Sequence, residues 1–297
     1  MKYKNINKIR LGRHGWTAMD AVFVLGMICI ISVVATAWIS NGSHLAATVQ
    51  ATNNLRQLTQ AWTTASQDND DYFFPAAPND DHPVGEWSGG GWMDLPVNDR
   101  IEVDPYWNLD SDTGKSLSKS ALWDYVGHNP LVYRDPRDRS TGSWPSYLDG
   151  AEVPRVRSFA MNCYLAGNPF TFTQINTDTG NPFKLFRKLS DITSASRPGP
   201  EFTFVLISEH PGSINDTQLI VDMTAFQTVS KFRLRLVDVP AAYHGGVGTL
   251  SYADNHVELK KWLDIRTMPR VTKSEISLNI ASPNNPDIDW LQNRTTW

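Results

Sequence analysis

Cysteine is nearly absent from this chain: Cys29 and Cys163 are the two among 297 residues. Cys29 falls inside a long apolar run, so the part of the chain beyond that run holds one thiol and cannot close an internal disulfide. Cys163 there reads as a small buried apolar residue rather than a reactive thiol. Charge is missing in two places. The first 15 residues carry no acid, and between Asp20 and Arg56 there is no Asp, Glu, Lys or Arg. A basic excess is missing as well: the net charge is −4, and without the five leader cations 22 basic residues face 31 acidic ones, a net of −9. Phosphate contact needs clustered Lys and Arg, so nucleic acid is excluded as a partner. The chain has no H-E-x-x-H helix and no paired-Cys pattern. Neither Gly89-Gly90-Gly91 nor Gly245-Gly246-Val247-Gly248 is followed by Lys-Ser or Lys-Thr, so zinc-helix and phosphate-loop chemistry lack their motifs. No repeat of fixed period is visible.

What is present begins with the apolar run Ala21 to Ile39, 19 residues long. At about 1.5 Å per helical residue it covers roughly the 30 Å hydrocarbon core of a bilayer. Lys2, Lys4, Lys8, Arg10 and Arg13 precede it, a bias that predicts a cytoplasmic N-terminus and a single pass, with about 258 residues outside. Three readings compete. A cleaved secretory signal would use Ala35-Thr36-Ala37 as its small-x-small site. A plain anchor would leave the run uncut. The third gives a role to Gly15-Trp16-Thr17-Ala18-Met19-Asp20, a small residue closing the basic leader with a lone carboxylate five positions on. Such an acid at the mouth of an apolar helix costs about 2.5–3.5 kcal/mol to bury and calls for a partner.

Beyond the run, Leu45, Val49, Leu55, Leu58, Trp62 and Ala65 recur at helical spacing, with Asn53, Asn54, Arg56 and Gln57 assigned to the opposite face. One helix from Trp16 to about Gln67 would be roughly 78 Å long. Asp68-Asn69-Asp70-Asp71 and Pro75 end it. The rest, 68–297, is one loop-rich domain. Asn79 to Pro96 reads as a long loop and Leu122 to Arg134 as a short helix leading into a strand. Arg155–Leu165, Glu201–Ser208, Leu219–Met223 and Phe232–Val237 read as strands. Thr249–Tyr252 and Val257–Trp262 alternate as a hairpin turning at Asp254-Asn255, residues that tolerate a left-handed backbone. The expected fold class is α+β: a long N-terminal transmembrane and amphipathic helix packed on an antiparallel β-sheet domain.

The leader, the Asn53-Asn54-Leu55-Arg56-Gln57-Leu58 stretch and His244 followed after nine residues by Asp254-Asn255 together resemble the bacterial type IV pilin-like proteins, which include the pseudopilins of type II secretion. One large subgroup carries an N-N-L-R-Q-L stretch after its anchor and an H-x9-D-G motif; here Asn255 stands in place of the Gly. The resemblance implies cleavage between Gly15 and Trp16 by a prepilin peptidase and methylation of the new N-terminus. It implies that Asp20, where a Glu is common, neutralises the N-terminal amine of a neighbouring subunit; a desolvated ammonium and carboxylate are tolerable as a pair. The domains would then be a leader at 1–15, a helix at 16–67 with its membrane part at 16–39 and its amphipathic part at 40–67, and a periplasmic domain at 68–297. The partners would be the peptidase, other pilin-like subunits, a secretion or pilus platform and membrane lipid. The location implied is the bacterial inner membrane, single-pass, with passage into a filament. The protein would be a structural subunit and not an enzyme.

His244, Asp254 and His256, with Glu209 and His210, raise the alternative of a metal or hydrolytic site; hydrogen bonds holding the hairpin and its entry are the structural reading of His244 and Asp254. No cofactor is expected, although some pseudopilins fix a loop with calcium. Asp68-Asn69-Asp70-Asp71, the segment considered for it, lacks the spaced ligands of an EF-hand loop. The rival function is a membrane-tethered glycan-binding module or hydrolase, in which Trp87, Trp92, Trp107, Trp123 and Trp144 would stack on sugar rings.

Overall fold

The computed structural model describes residues 18–74, 120–143, 152–155, 157–165, 183–195, 197–214, 217–272 and 276–297. The chain divides into two compact units, Met1–Ala46 and Ala47–Trp297. In the first unit the described structure is the beginning of helix α1, Ala18–Asp68, on which the side chains of Met19, Val22, Leu25 and Met27 are exposed.

The second unit contains the remainder of α1 and the whole sheet system. Ala51, Leu55, Leu58, Ala61, Trp62 and Ala65 are buried, at steps of three, four or one that keep them on one helical face. The stripe starts at Ala51 and not where the sequence placed it: Leu45 and Val49 are exposed. Asn54, assigned to the polar face, is also buried, and its Nδ2 donates to the Leu131 and Arg134 carbonyls at 3.1 and 2.9 Å. The helix ends at Asp68, where Asp70 and Asp71 turn to φ 53° and 74°.

The strands are β1 (Thr141–Ser143), β2 (Glu152–Pro154), β3 (Phe159–Asn162), β4 (Phe204–Ser208), β5 (Gln218–Leu219), β6 (Arg235–Leu236), β7 (Val247–Tyr252), β8 (Val257–Lys261) and β9 (Ile280–Ala281); helix α2 spans Pro286–Gln292. Five strands form the main sheet in the order β5-β3-β4-β7-β8, while β1-β2 and β6-β9 are separate pairs. On one face, Phe159 and Met161 of β3 and Val205 and Leu206 of β4 pack with Leu55, Leu58 and Trp62 of α1. A register shift between Phe204 and Leu206 lets two successive residues of β4 join that cluster. On the other face, Ala160, Ile207, Leu250 and Tyr252 meet Trp262 and Leu291 of α2.

Two expectations are corrected here. The sheet is not antiparallel throughout: β5 runs parallel to β3, Met161 opposite Gln218 and Asn162 opposite Leu219. The connection from β4 carries the chain past β3 to its far edge, and reversal relative to β4 makes the arriving strand parallel to β3. The α+β fold with an all-antiparallel sheet thus gives way to mixed α/β content around a five-stranded mixed sheet. Secondly, among the described residues no helix is long and apolar enough to cross a membrane. Spanning takes about 20 consecutive apolar residues. The side chains described on α1 are four apolar ones, Met19, Val22, Leu25 and Met27, and a largely polar stretch from residue 42 onward. The transmembrane segment at 16–39 and the single-pass inner-membrane placement with a periplasmic domain are overturned on this ground.

Smaller differences follow local geometry. The segment expected as a short helix at 122–134 consists of turns and a 3-10 helix at Pro130–Tyr133, capped by the Asn129 side chain on the Leu131 amide. The strand expected at 232–237 shortens to β6, which pairs with β9 rather than with the main sheet.

Candidate functional site

Both halves of the H-x9-D motif are described, at opposite ends of β7. At the far end, the β7–β8 hairpin turns through Ala253, Asp254 and Asn255. The Asn255 amide donates to the Tyr252 carbonyl at 2.9 Å and the Tyr252 amide to the His256 carbonyl at 3.0 Å. This is a tight turn followed by a left-handed residue, and Asn255 takes that position at φ 70°. Asp254 Oδ1 accepts from the His256 amide at 3.1 Å and lies 2.6 Å from its ring Nδ1. The His256 ring stacks on Tyr252 at 4.3 Å between centroids.

At the near end, Gly246 (φ 86°) follows the histidine in a backbone conformation that side chains disfavour. Gly248 is required for a different reason: a Cβ there would lie 2.8 Å from the Trp262 ring and from the Ala241 carbonyl, to which Trp262 Nε1 donates at 2.9 Å. Gly245 and Gly246 thus serve the backbone of the turn, and Gly248 serves close packing.

The entry turn lays the His244 ring between two segments remote in sequence. Its Nδ1 is 2.9 Å from Thr48 Oγ1 on α1, and its Nε2 is 2.9 Å from Asp135 Oδ2. The His244 side chain is 4% exposed and that of Asp135 is 0% exposed. An ionised carboxylate can only accept, so it assigns the hydrogen to Nε2, and a neutral ring then accepts the Thr48 hydroxyl at Nδ1.

Asp135 opens a turn, Asp-Pro-Arg-Asp, in which its Oδ1 accepts the Arg137 amide at 2.8 Å and its carbonyl the Asp138 amide at 3.0 Å. Asp138 in turn accepts the Ser140 amide at 2.9 Å and the Ser158 hydroxyl at 2.6 Å. Asn54 of α1 fixes the residues just before this turn, so the helix grips it from two positions, 48 and 54.

Further polar groups lie close by. The Tyr243 hydroxyl donates to the Glu209 carbonyl at 3.1 Å. Burial, with the Asp138 and Asp135 carboxylates adding to it, pushes that phenol well above its ordinary range against the opposing charge of Arg155. His210 Nδ1 accepts the Gly212 amide at 3.1 Å, and burial holds its ring below the ordinary histidine range despite Asp138. Glu209 Oε1 accepts the Ser213 hydroxyl at 2.8 Å.

A hydroxyl, an imidazole and a carboxylate in line have the connectivity of an acyl-transfer relay, with the two ring nitrogens exchanged. Here the imidazole and the carboxylate are both nearly inaccessible to a substrate. The arrangement works as a bracket that joins α1, the 135–138 turn and the entry to β7.

The structure does not bring His244 and Asp254 together; each has its own partners. Among the described residues no group of three or more His, Cys, Asp or Glu side chains stands close enough to hold a metal ion. The acids at the end of α1 and just beyond it have separate partners, Asp68 accepting from the Tyr125 hydroxyl at 2.9 Å and Asp71 from the Ser190 amide at 3.1 Å. Gly15 and Trp16 lie outside the described residues, and Asp20 is on α1 with its side chain outside them. Trp87, Trp92, Trp107 and Trp144 also lie outside, while Trp123 is half-buried and stacks on His128 at 5.7 Å. Sequence reasoning missed Thr48, Asn54, Asp135 and Asp138. The Asp-Pro pair at 135–136 was a turn signal in plain view; Thr48 had none. Comparison with family models, curated proteins and solved structures finds no match to this chain.

Proposed function

We propose that this chain is a pilin-like structural subunit and not an enzyme. On this reading it is made as a precursor, cut between Gly15 and Trp16 by a prepilin peptidase, and assembled through α1 with other pilin-like subunits into a type II secretion pseudopilus or type IV pilus-like filament served by its platform. The supporting observation is α1 itself, a continuous helix of 51 residues. Its later turns bury one face against the sheet, and the Thr48–His244–Asp135 bracket ties it to the domain. Met19, Val22, Leu25 and Met27, near its start, are more than half exposed. Apolar side chains left open on one element ask for cover, and neighbouring subunits would supply it.

Asp20 lies among these residues in sequence, and the proposal gives it the N-terminal amine of the adjacent subunit as its partner. The test is Asp20→Ala in cells that assemble the filament. Processing is expected to stay normal while incorporation into sheared filaments falls by more than tenfold. Wild-type incorporation of the variant would contradict assembly by that pairing.

A further inference from the structure

Strand β8 closes one side of the main sheet, and among the described residues nothing pairs with its outer edge. The opposite edge, β5, has two residues and offers little to pair with. β8 has five, Val257-Glu-Leu-Lys-Lys261, and Leu259 on it is 47% exposed. Leu263 and Ile265, which follow it, are 66% and 76% exposed. An edge with free amides and carbonyls beside exposed apolar side chains is a template for another strand.

The register decides which backbone groups are available. The Tyr252 amide bonds to the His256 carbonyl and the Trp262 amide to the Gly246 carbonyl. Between these two points the ladder places Leu250 opposite Glu258 and Gly248 opposite Lys260. Hydrogen-bonded pairs alternate along an antiparallel ladder, so His256, Glu258, Lys260 and Trp262 turn their backbone groups toward β7. Val257, Leu259 and Lys261 turn theirs to the open side.

We propose that two copies of this chain pair edge to edge through β8, antiparallel about a two-fold axis at Leu259. In that register Leu259 faces Leu259 of the second copy and Val257 faces Lys261 of the second copy, and these are the residues whose backbone groups are free. Glu258 then falls opposite Lys260 of the second copy, and Lys260 opposite its Glu258, so the interface holds two opposite-charge pairs related by the axis. The segment is therefore complementary to itself in backbone, charge and apolar contact, as a two-fold interface requires. The axis stands normal to the sheet, which makes one continuous sheet from two. Five residues a side bury little area, so the pairing is weak and depends on concentration. It is independent of assembly through α1.

The test uses the full chain with Cys29 and Cys163 replaced by Ala, oxidised with copper phenanthroline and read on non-reducing gels with mass mapping. Leu259→Cys is expected to give a disulfide-linked dimer, since hydrogen-bonded antiparallel pairs hold their Cα atoms about 5.5 Å apart, within disulfide reach. Lys261→Cys alone is expected to stay monomeric. Its symmetry mate would lie four residues along the strand, about 13 Å away. Mixing Lys261→Cys with Val257→Cys should restore a cross-linked heterodimer. Failure of Leu259→Cys to dimerise, or cross-linking of Lys261→Cys to itself as readily as Leu259→Cys, would overturn the proposal.

Discussion

Two His–Asp pairs flank β7, and they differ in nearly everything but chemistry. His244 and Asp135 lie 2.9 Å apart with side chains 4% and 0% exposed. His256 and Asp254 lie 2.6 Å apart with side chains 44% and 38% exposed. The exposed pair is local, two residues apart on a turn, and water screens it, which limits its worth to well under 1 kcal/mol or so. The buried pair joins segments 109 residues apart. Each of its members has been taken out of water, so removing one leaves the other costly where it stands. Distance alone would rank the exposed pair first; burial reverses the order.

The largest effect should come from breaking the buried pair. His244→Ala takes one of two donors from a buried carboxylate and the acceptor from Thr48. The expected loss is about 3 kcal/mol in urea denaturation of the full chain, against less than about 1 kcal/mol for His256→Ala. Equal losses would erase the distinction between the two ends of the motif. Next is Gly248→Ala, beside the entry, where the added methyl meets the Trp262 ring and a backbone carbonyl. Overpacking of this kind costs about 1–3 kcal/mol and should blue- or red-shift Trp fluorescence as the ring moves; an unchanged midpoint and spectrum would show that the ring has room.

Acid gives a further way to sharpen the contrast. His210 is buried in the same polar region, facing Asp138 and Arg155, and its native ring titrates below the ordinary value of 6.5. Below that value the unfolded chain binds more protons than the native one, so His210 makes no difference above about pH 7 and destabilises the fold as pH falls through 6.5. His210→Asn retains an acceptor near Nδ1 and removes the titration. The slope of stability against pH between 6.5 and 5 is expected to flatten in this variant, and an unchanged slope would assign the acid sensitivity elsewhere. The smallest effect belongs to the hairpin tip. Asn255→Gly keeps a residue suited to φ 70°, and thermal melts should move by less than the equivalent of about 0.5 kcal/mol. A larger shift would mean that the Asn side chain holds the turn.

The hairpin was legible because its determinants are local: alternation over Thr249–Tyr252 and Val257–Trp262, and Asp254-Asn255 between. The later part of α1 was legible through its helical period, and its end through Asp68 and the residues after it. Leu45 and Val49 misled because periodicity registers spacing and not what stands opposite, and the buried face of the helix begins at Ala51. Asn54 misled for the same reason, as its amide is buried for two carbonyls that no pattern near residue 54 announces. The parallel β5 depends on where a loop returns, which its two residues do not encode. Thr48, 196 residues from His244, could be matched with it only in three dimensions. The apolar run at 21–39 pointed to a membrane span that the described helix does not provide.

On the proposed reading the chain is a cut precursor whose helix is its means of assembly. The most direct measurement is the intact mass and N-terminal residue of the protein from cells with a prepilin peptidase and from cells without it. A chain beginning at Trp16, with or without an added methyl, is expected in the first and the uncut chain in the second. The same N-terminus in both would contradict it.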